Sequence, residues 1–149
     1  SITLSPYVAR DSEFIKLLAH EIAHYVDIYY LIANGGIDPS ETFYAISWSN
    51  TTIKKSWEWI GSFVSGYAAT NRYEDFAESF VFYMFHNAEF ADRAMKNESL
   101  RQKYLFFSEQ VFQRWEFIGT DFRTQTIPNY LWDTTKIPIS VKKYLNSLE

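Results

Sequence analysis

The stretch Asp11-Ser12-Glu13-Phe14-Ile15-Lys16-Leu17-Leu18-Ala19-His20-Glu21-Ile22-Ala23-His24-Tyr25-Val26-Asp27-Ile28-Tyr29 decides how this chain is read. Phe14, Leu17, Leu18, Ile22, Tyr25, Val26 and Tyr29 recur at helical spacing behind Asp11 or Ser12 as N-cap, which predicts a helix running to about Ala33. Asn34-Gly35-Gly36 then supplies a C-cap and a turn. Residues four apart on a helix stack on one face, so His20 and His24 can present two imidazoles to one metal ion. Glu21 lies about 100° round the helix, close enough to reach a metal-bound water without itself ligating the metal. Two of the three histidines in the chain fall at this spacing, with a glutamate where a general base is needed. The His-Glu-x-x-His pattern is therefore read as a zinc site rather than as a chance match on an amphipathic helix.

Catalytic zinc usually has three protein ligands and a water. The chain has no cysteine, so the third ligand must be His, Asp or Glu. The class that places a third histidine six residues after the second is excluded: Tyr30 stands there, and Asp27 takes the place of the glycine between. Glu74 and Glu78 are four apart on one face of a second predicted helix, capped by Asn71 and running from Arg72 to about His86. One carboxylate can ligate zinc while the other, a turn away, accepts a histidine ring N–H. The competing reading is a solvated acidic face, with Glu74 closing a capping box on Asn71. Apolar Phe76, Ala77, Phe80 and Val81 around the pair argue that at least one carboxylate points inward.

Residues 20–27, HEIAHYVD, followed by residues 66–80, GYAATNRYEDFAESF, resemble the gluzincin peptidases of the anthrax lethal factor and Pro-Pro endopeptidase group. In that family HExxH is followed by Tyr-x6-Glu-x3-Glu, and Tyr67, Glu74 and Glu78 stand at those spacings. The resemblance covers about Leu17–Asp27 and Ser65–Ala94. It implies a single Zn2+ ion held by His20, His24 and Glu74, with Glu21 as general base, Tyr67 stabilising the oxyanion and Glu78 supporting the ligands from behind. The implied activity is a zinc-dependent endopeptidase that hydrolyses peptide bonds through a zinc-bound water activated by Glu21. Two alternatives stand beside it: a non-catalytic, zinc-stabilised binding module that recruits a partner through the aromatic loop at 37–64, and a zinc hydrolase of a non-peptide amide.

The remaining sequence sets the frame. At 149 residues, 47% of them hydrophobic and 19% aromatic, the chain fits one domain spanning 1–149. A net charge of −4 with scattered Lys and Arg argues against nucleic acid or an anionic membrane as partner. No apolar run approaches the ~20 residues of a membrane span, and the partner that the resemblance implies is a peptide or protein substrate. The start at Ser1, with no initiator Met and no signal peptide, suggests a mature form or a piece of a longer chain, and the expected location is secreted or extracellular.

The expected fold is mainly α with minor β (α+β), a gluzincin-like catalytic domain pairing the HExxH helix with a second, glutamate-bearing helix. The sheet that such peptidases place before the HExxH helix comes either from Ile2–Val8 and Thr42–Ser47 or from sequence upstream. Short helices are expected at Ser56–Val64 and Glu89–Lys96, a longer one at Leu100–Ile118 closed by Gly119, and a helical turn or two in Val141–Glu149. Thr120–Ser140, with Pro128 and Pro138, reads as irregular. Asp27 and His86 are read as structural, and Trp48, Trp57 and Trp59 as core residues or as the lining of a cleft.

Overall fold

The computed structural model describes residues 11–32 and 38–148, and within them the chain is mainly helical. Helix α1 spans Asp11–Tyr25 and continues as a π-helical turn, Val26–Tyr30, closed by the Leu31 N–H reaching the Val26 carbonyl at 3.1 Å. Helix α2 is Pro39–Ser47, α3 is Arg72–Phe85, α4 is Asn87–Ala94, α5 is Glu98–Phe106 and α6 is Val141–Asn146. The only β pairing among the described residues is two isolated antiparallel bridges, Trp48 with Lys54 and Arg123 with Ile139. The minor β content is therefore not assembled as a sheet among these residues. The Ile2–Val8 strand and the Asn34-Gly35-Gly36 stop lie outside them.

The α1–α3 pair positions the candidate site. Asn71 caps α3 as expected, its side chain accepting the Tyr73 and Glu74 N–H groups. Along the contact, Ala19 and Ala23 of α1 and Ala77 and Val81 of α3 are all buried. Side chains this small let two helices pack closely, so imidazoles on one reach carboxylates on the other. The rest of α3 is wrapped by aromatic rings. Phe43 of α2 and Phe107, at the end of α5, each meet Phe76 at 5.2 Å between centroids, in edge-on geometries that favour aromatic pairs.

Three expectations are corrected. Thr42–Ser47 is helical, not a strand: Asp38 caps the Ser40 N–H, Pro39 opens the helix, and buried Ser40, Phe43, Tyr44 and Ser47 follow helical rather than alternating spacing. Ser56–Val64 forms only a 3-10 turn at Ile60–Ser62. Its buried residues run consecutively from Ser62 to Gly66, not with the period of a helix, and Gly61 weakens helix formation at its centre. The Leu100–Ile118 helix starts earlier, at Glu98 behind the Asn97 cap, and ends at Val111 after a second π-helical turn, Phe107–Val111. Phe112 turns extended there because its ring leaves the helix to stack on Tyr83 at 5.2 Å. Gly119 adopts the expected left-handed φ of 73°, but within the following turns rather than at a helix end.

His86, at the C-cap of α3, is wholly buried, and neither ring nitrogen has a hydrogen-bond partner among the described residues. Burial, and then the charges of Lys16, Arg123 and Arg93, push its pKa down to about 3, so it is not the cation a helix dipole would favour. The neutral ring is structural, and it makes the fold acid-sensitive. The unfolded chain takes up a proton near pH 6.5 while the folded chain does not. Stability is therefore complete above that pH and drains as pH falls toward about 3, by at most ~1.4 kcal/mol per pH unit. In urea titrations between pH 6.5 and 4, His86→Leu should show a shallower decline than the wild type; equal slopes would remove His86 as the cause.

Candidate metal centre

On α1, His20 and His24 lie a turn apart, and their rings meet edge-on at 4.9 Å. Glu74, in the first turn of α3, turns toward them rather than back to Asn71: its Oε2 lies 3.0 Å from His20 Nε2 and 3.5 Å from His24 Nε2. One ligand atom from each of His20, His24 and Glu74 falls within 4.8 Å of the others. Ligand atoms about 2.0–2.1 Å from a tetrahedral zinc ion stand roughly 3.3–3.4 Å apart, and the spacings from Glu74 Oε2 to the two Nε2 atoms, 3.0 and 3.5 Å, bracket that value.

The electrostatics favour a cation at the same point. Burial alone would lower the His20 pKa, but hydrogen bonds to Glu74 and Glu78, and their charges, push it up to about 9. Burial alone would raise Glu74, yet hydrogen bonds and charge from His20 and His24 hold its carboxyl down at about 2. A proton satisfies this arrangement, and a divalent ion held by the same nitrogen and oxygen atoms does so too.

Glu78 stands behind the histidines. Fully buried, it takes His20 Nδ1–H on Oε1 at 3.1 Å, and the Ser65 hydroxyl and the Thr134 N–H on Oε2 at 2.6 and 2.8 Å. A carboxylate on Nδ1 makes that nitrogen a donor, and Nε2, which in the protonated ring donates to Glu74, is the nitrogen whose lone pair a metal ion would take in place of the proton. Glu21, beside His20 on the same turn, is half-buried and stands outside the three-donor cluster. The Tyr67 ring stacks beside that of His20, 6.0 Å between centroids and 15° from parallel. Burial, followed by the Glu74 carboxylate, pushes the Tyr67 hydroxyl up to about 12, which keeps it a neutral donor at physiological pH.

Every residue singled out as a site residue from the sequence thus lies on the facing turns of α1 and α3 or on the Tyr67 loop just before α3. Asp27 is structural: it is buried, accepts the Tyr44 hydroxyl at 2.5 Å, and has its carboxyl pushed up by burial. Trp48 is core as well, donating its indole N–H to Asp75 at 2.8 Å. Trp57 and Trp59 are both exposed rather than core, and Trp59 borders a cavity of about 470 Å³ together with Phe63, Gly66, Arg93 and Tyr130.

The sequence reading left out the strap at 130–137. Gly66 and Tyr67 donate their N–H groups to the Leu131 and Trp132 carbonyls at 2.8 and 2.7 Å, and the Trp132 ring leans on Tyr67. A Cβ at Gly66 would lie 2.6 Å from both the Trp132 ring and the Tyr130 hydroxyl, so glycine is what lets the strap close here. Lys16 was also passed over. It lies a turn before His20, wholly buried, with its ammonium drawn down to about 7 by burial against the pull of Asp133 and Glu78. A lysine in register with His20 and His24 on a buried helix face, and an Asp133-Thr134-Thr135 cap signature, were the available signals. No family model, curated protein or solved structure matches the chain, so the reading of the site rests on its own geometry.

Proposed function

We propose that the chain is a zinc-dependent endopeptidase of gluzincin type, with His20, His24 and Glu74 as the ligands of one zinc ion. The observation that supports it most is the convergence of two Nε2 atoms and one carboxylate oxygen within 4.8 Å, beside a half-buried glutamate and a protonated tyrosine. When bound, the ion supplies a Lewis acid that acidifies a water and polarises a carbonyl oxygen. Glu21 accepts the proton of the attacking water and returns it to the leaving amine. Tyr67 donates its hydroxyl hydrogen to the oxyanion that develops on the scissile carbonyl. Glu78 holds His20 in the tautomer and orientation that ligation needs. The half-buried setting of Glu21 and Tyr67 leaves them open to an entering chain.

Among the described residues no helix is long and apolar enough to cross a membrane, and an extended peptide or protein segment is the substrate class proposed. The test is metal analysis joined to cleavage of a peptide library with and without a chelator. Cleavage that a chelator abolishes and added zinc restores is the expected result. Protein that folds normally, takes up no zinc and cuts nothing overturns the proposal. Zinc uptake without any cleavage moves the chain to the binding-module reading.

A further inference from the structure

Lys16 and His20 lie one turn apart on the inner face of α1; Lys16 reaches the segment at 134–137 directly, and His20 is joined to it through Glu78. The Lys16 ammonium donates to the carbonyls of Thr134, at 2.7 Å, and Ile137. These carbonyls flank the short 3-10 turn Thr134–Lys136, which Asp133 caps by accepting from the Thr135 N–H at 2.8 Å. At its opening, the turn aims the Thr134 N–H at Glu78 Oε2, 2.8 Å away. Glu78 in turn holds His20 Nδ1–H. The hydrogen bonds therefore run in a ring from α1 to the turn, on to α3 and back to α1, and Lys16, Thr134 and Glu78 are all wholly buried. A buried ammonium and a buried carboxylate are each expensive to leave without partners, so the turn is held from both sides.

We propose that the Asp133–Ile137 turn is a latch for the metal centre, with Lys16 and the Thr134 amide as the positioning groups that fix Glu78 and, through it, His20. The metal arm of this inference rests on the zinc reading above; the hydrogen-bond ring does not. Loss of a partner that orients a metal-ligating histidine typically weakens metal binding about 10–100-fold.

Thr134→Pro isolates the amide. Thr134 opens the turn, a position where proline is well accommodated, and Asp133 before it is extended (φ −142°, ψ 121°), as a residue preceding proline prefers. The substitution removes the N–H that Glu78 receives and leaves Lys16 in place. Thr134→Ala keeps that N–H and serves as the control. Lys16→Met removes the other hold; should it fail to fold, the Thr134 pair still decides.

Two readouts are taken on the whole chain: affinity for cobalt(II) and zinc, with the cobalt absorption spectrum, and solvent exchange of the His20 Nδ1–H proton by NMR without added metal. The expected result is a 10–100-fold weaker metal affinity, an altered cobalt spectrum and faster exchange of that proton in Thr134→Pro and Lys16→Met, with Thr134→Ala matching the wild type. Wild-type affinity and spectrum in Thr134→Pro overturn the latch while leaving the metal site standing. If the wild type binds neither ion, the zinc reading falls, and proton exchange alone judges the latch: unchanged exchange in Thr134→Pro rejects it.

Discussion

Replacing Glu21 with glutamine is expected to slow peptide hydrolysis by about 10²–10⁴-fold while zinc content stays at the wild-type level. The two halves of that result come from different features of the site. Zinc content is spared because the proposed donors are His20, His24 and Glu74, and Glu21 is not among the clustered ligand atoms. Activity falls because glutamine keeps the size and polarity of glutamate but cannot carry a proton from the attacking water to the leaving amine. The loss corresponds to about 3–5 kcal/mol of transition-state stabilisation, far more than a surface substitution on a partly exposed helix position produces. Unchanged cleavage by Glu21→Gln, measured on the peptides the wild type cuts, would sink the enzyme reading. Loss of zinc together with activity would instead make Glu21 a ligand and displace one of the three donors.

The convergence of the candidate site residues was more legible in the sequence than the fold around them, and the reason is range. His20, Glu21 and His24 need only a regular helix to reach one face, and Glu74 and Glu78 need only a second. What the spacing left open was which carboxylate faces the histidine pair. Tertiary geometry separates the two: Glu74 meets both Nε2 atoms, while Glu78 lies deeper, on Nδ1 of His20. The strap at 130–137 carried no periodic signal, because its contribution is made through backbone groups, the Thr134 N–H and the carbonyls of Leu131, Trp132, Thr134 and Ile137. Thr42–Ser47 was misread for a different reason: its β-branched and aromatic residues carry strand propensity, yet Asp38 and Pro39 start a helix and burial of Phe43 and Tyr44 holds it.

Asp75, the neighbour of Glu74, shows how the frame supports the site, and breaking its ion pair carries the largest stability effect expected. Asp75 and Lys103 are both wholly buried and joined at 2.8 Å. Burial pushes the aspartate up and the lysine down, so each charge is held against the tendency to neutralise. Holding them are the Trp48 indole N–H on Asp75 at 2.8 Å, the Ser62 carbonyl on Lys103 at 2.9 Å, and the Phe63 ring 4.0 Å beneath the ammonium. Asp75→Ala would leave a buried ammonium without its counter-charge and an indole N–H without its acceptor, and should cost about 3–5 kcal/mol in urea unfolding. The double variant Asp75→Leu, Lys103→Met removes both charges and fills their space with apolar atoms. It should be less destabilised than Asp75→Ala, because removing a buried pair together is far milder than orphaning one member. A double variant as unstable as the two single losses added together would show that the pair is uncoupled. The same experiment reaches the candidate metal centre, because Asp75 anchors the first turn of α3 to α5 and to the Trp48 segment, and that turn carries Glu74. Asp75→Ala protein that remains folded at low denaturant should bind zinc more weakly than the wild type, and the apolar double variant should recover part of that affinity as it recovers stability.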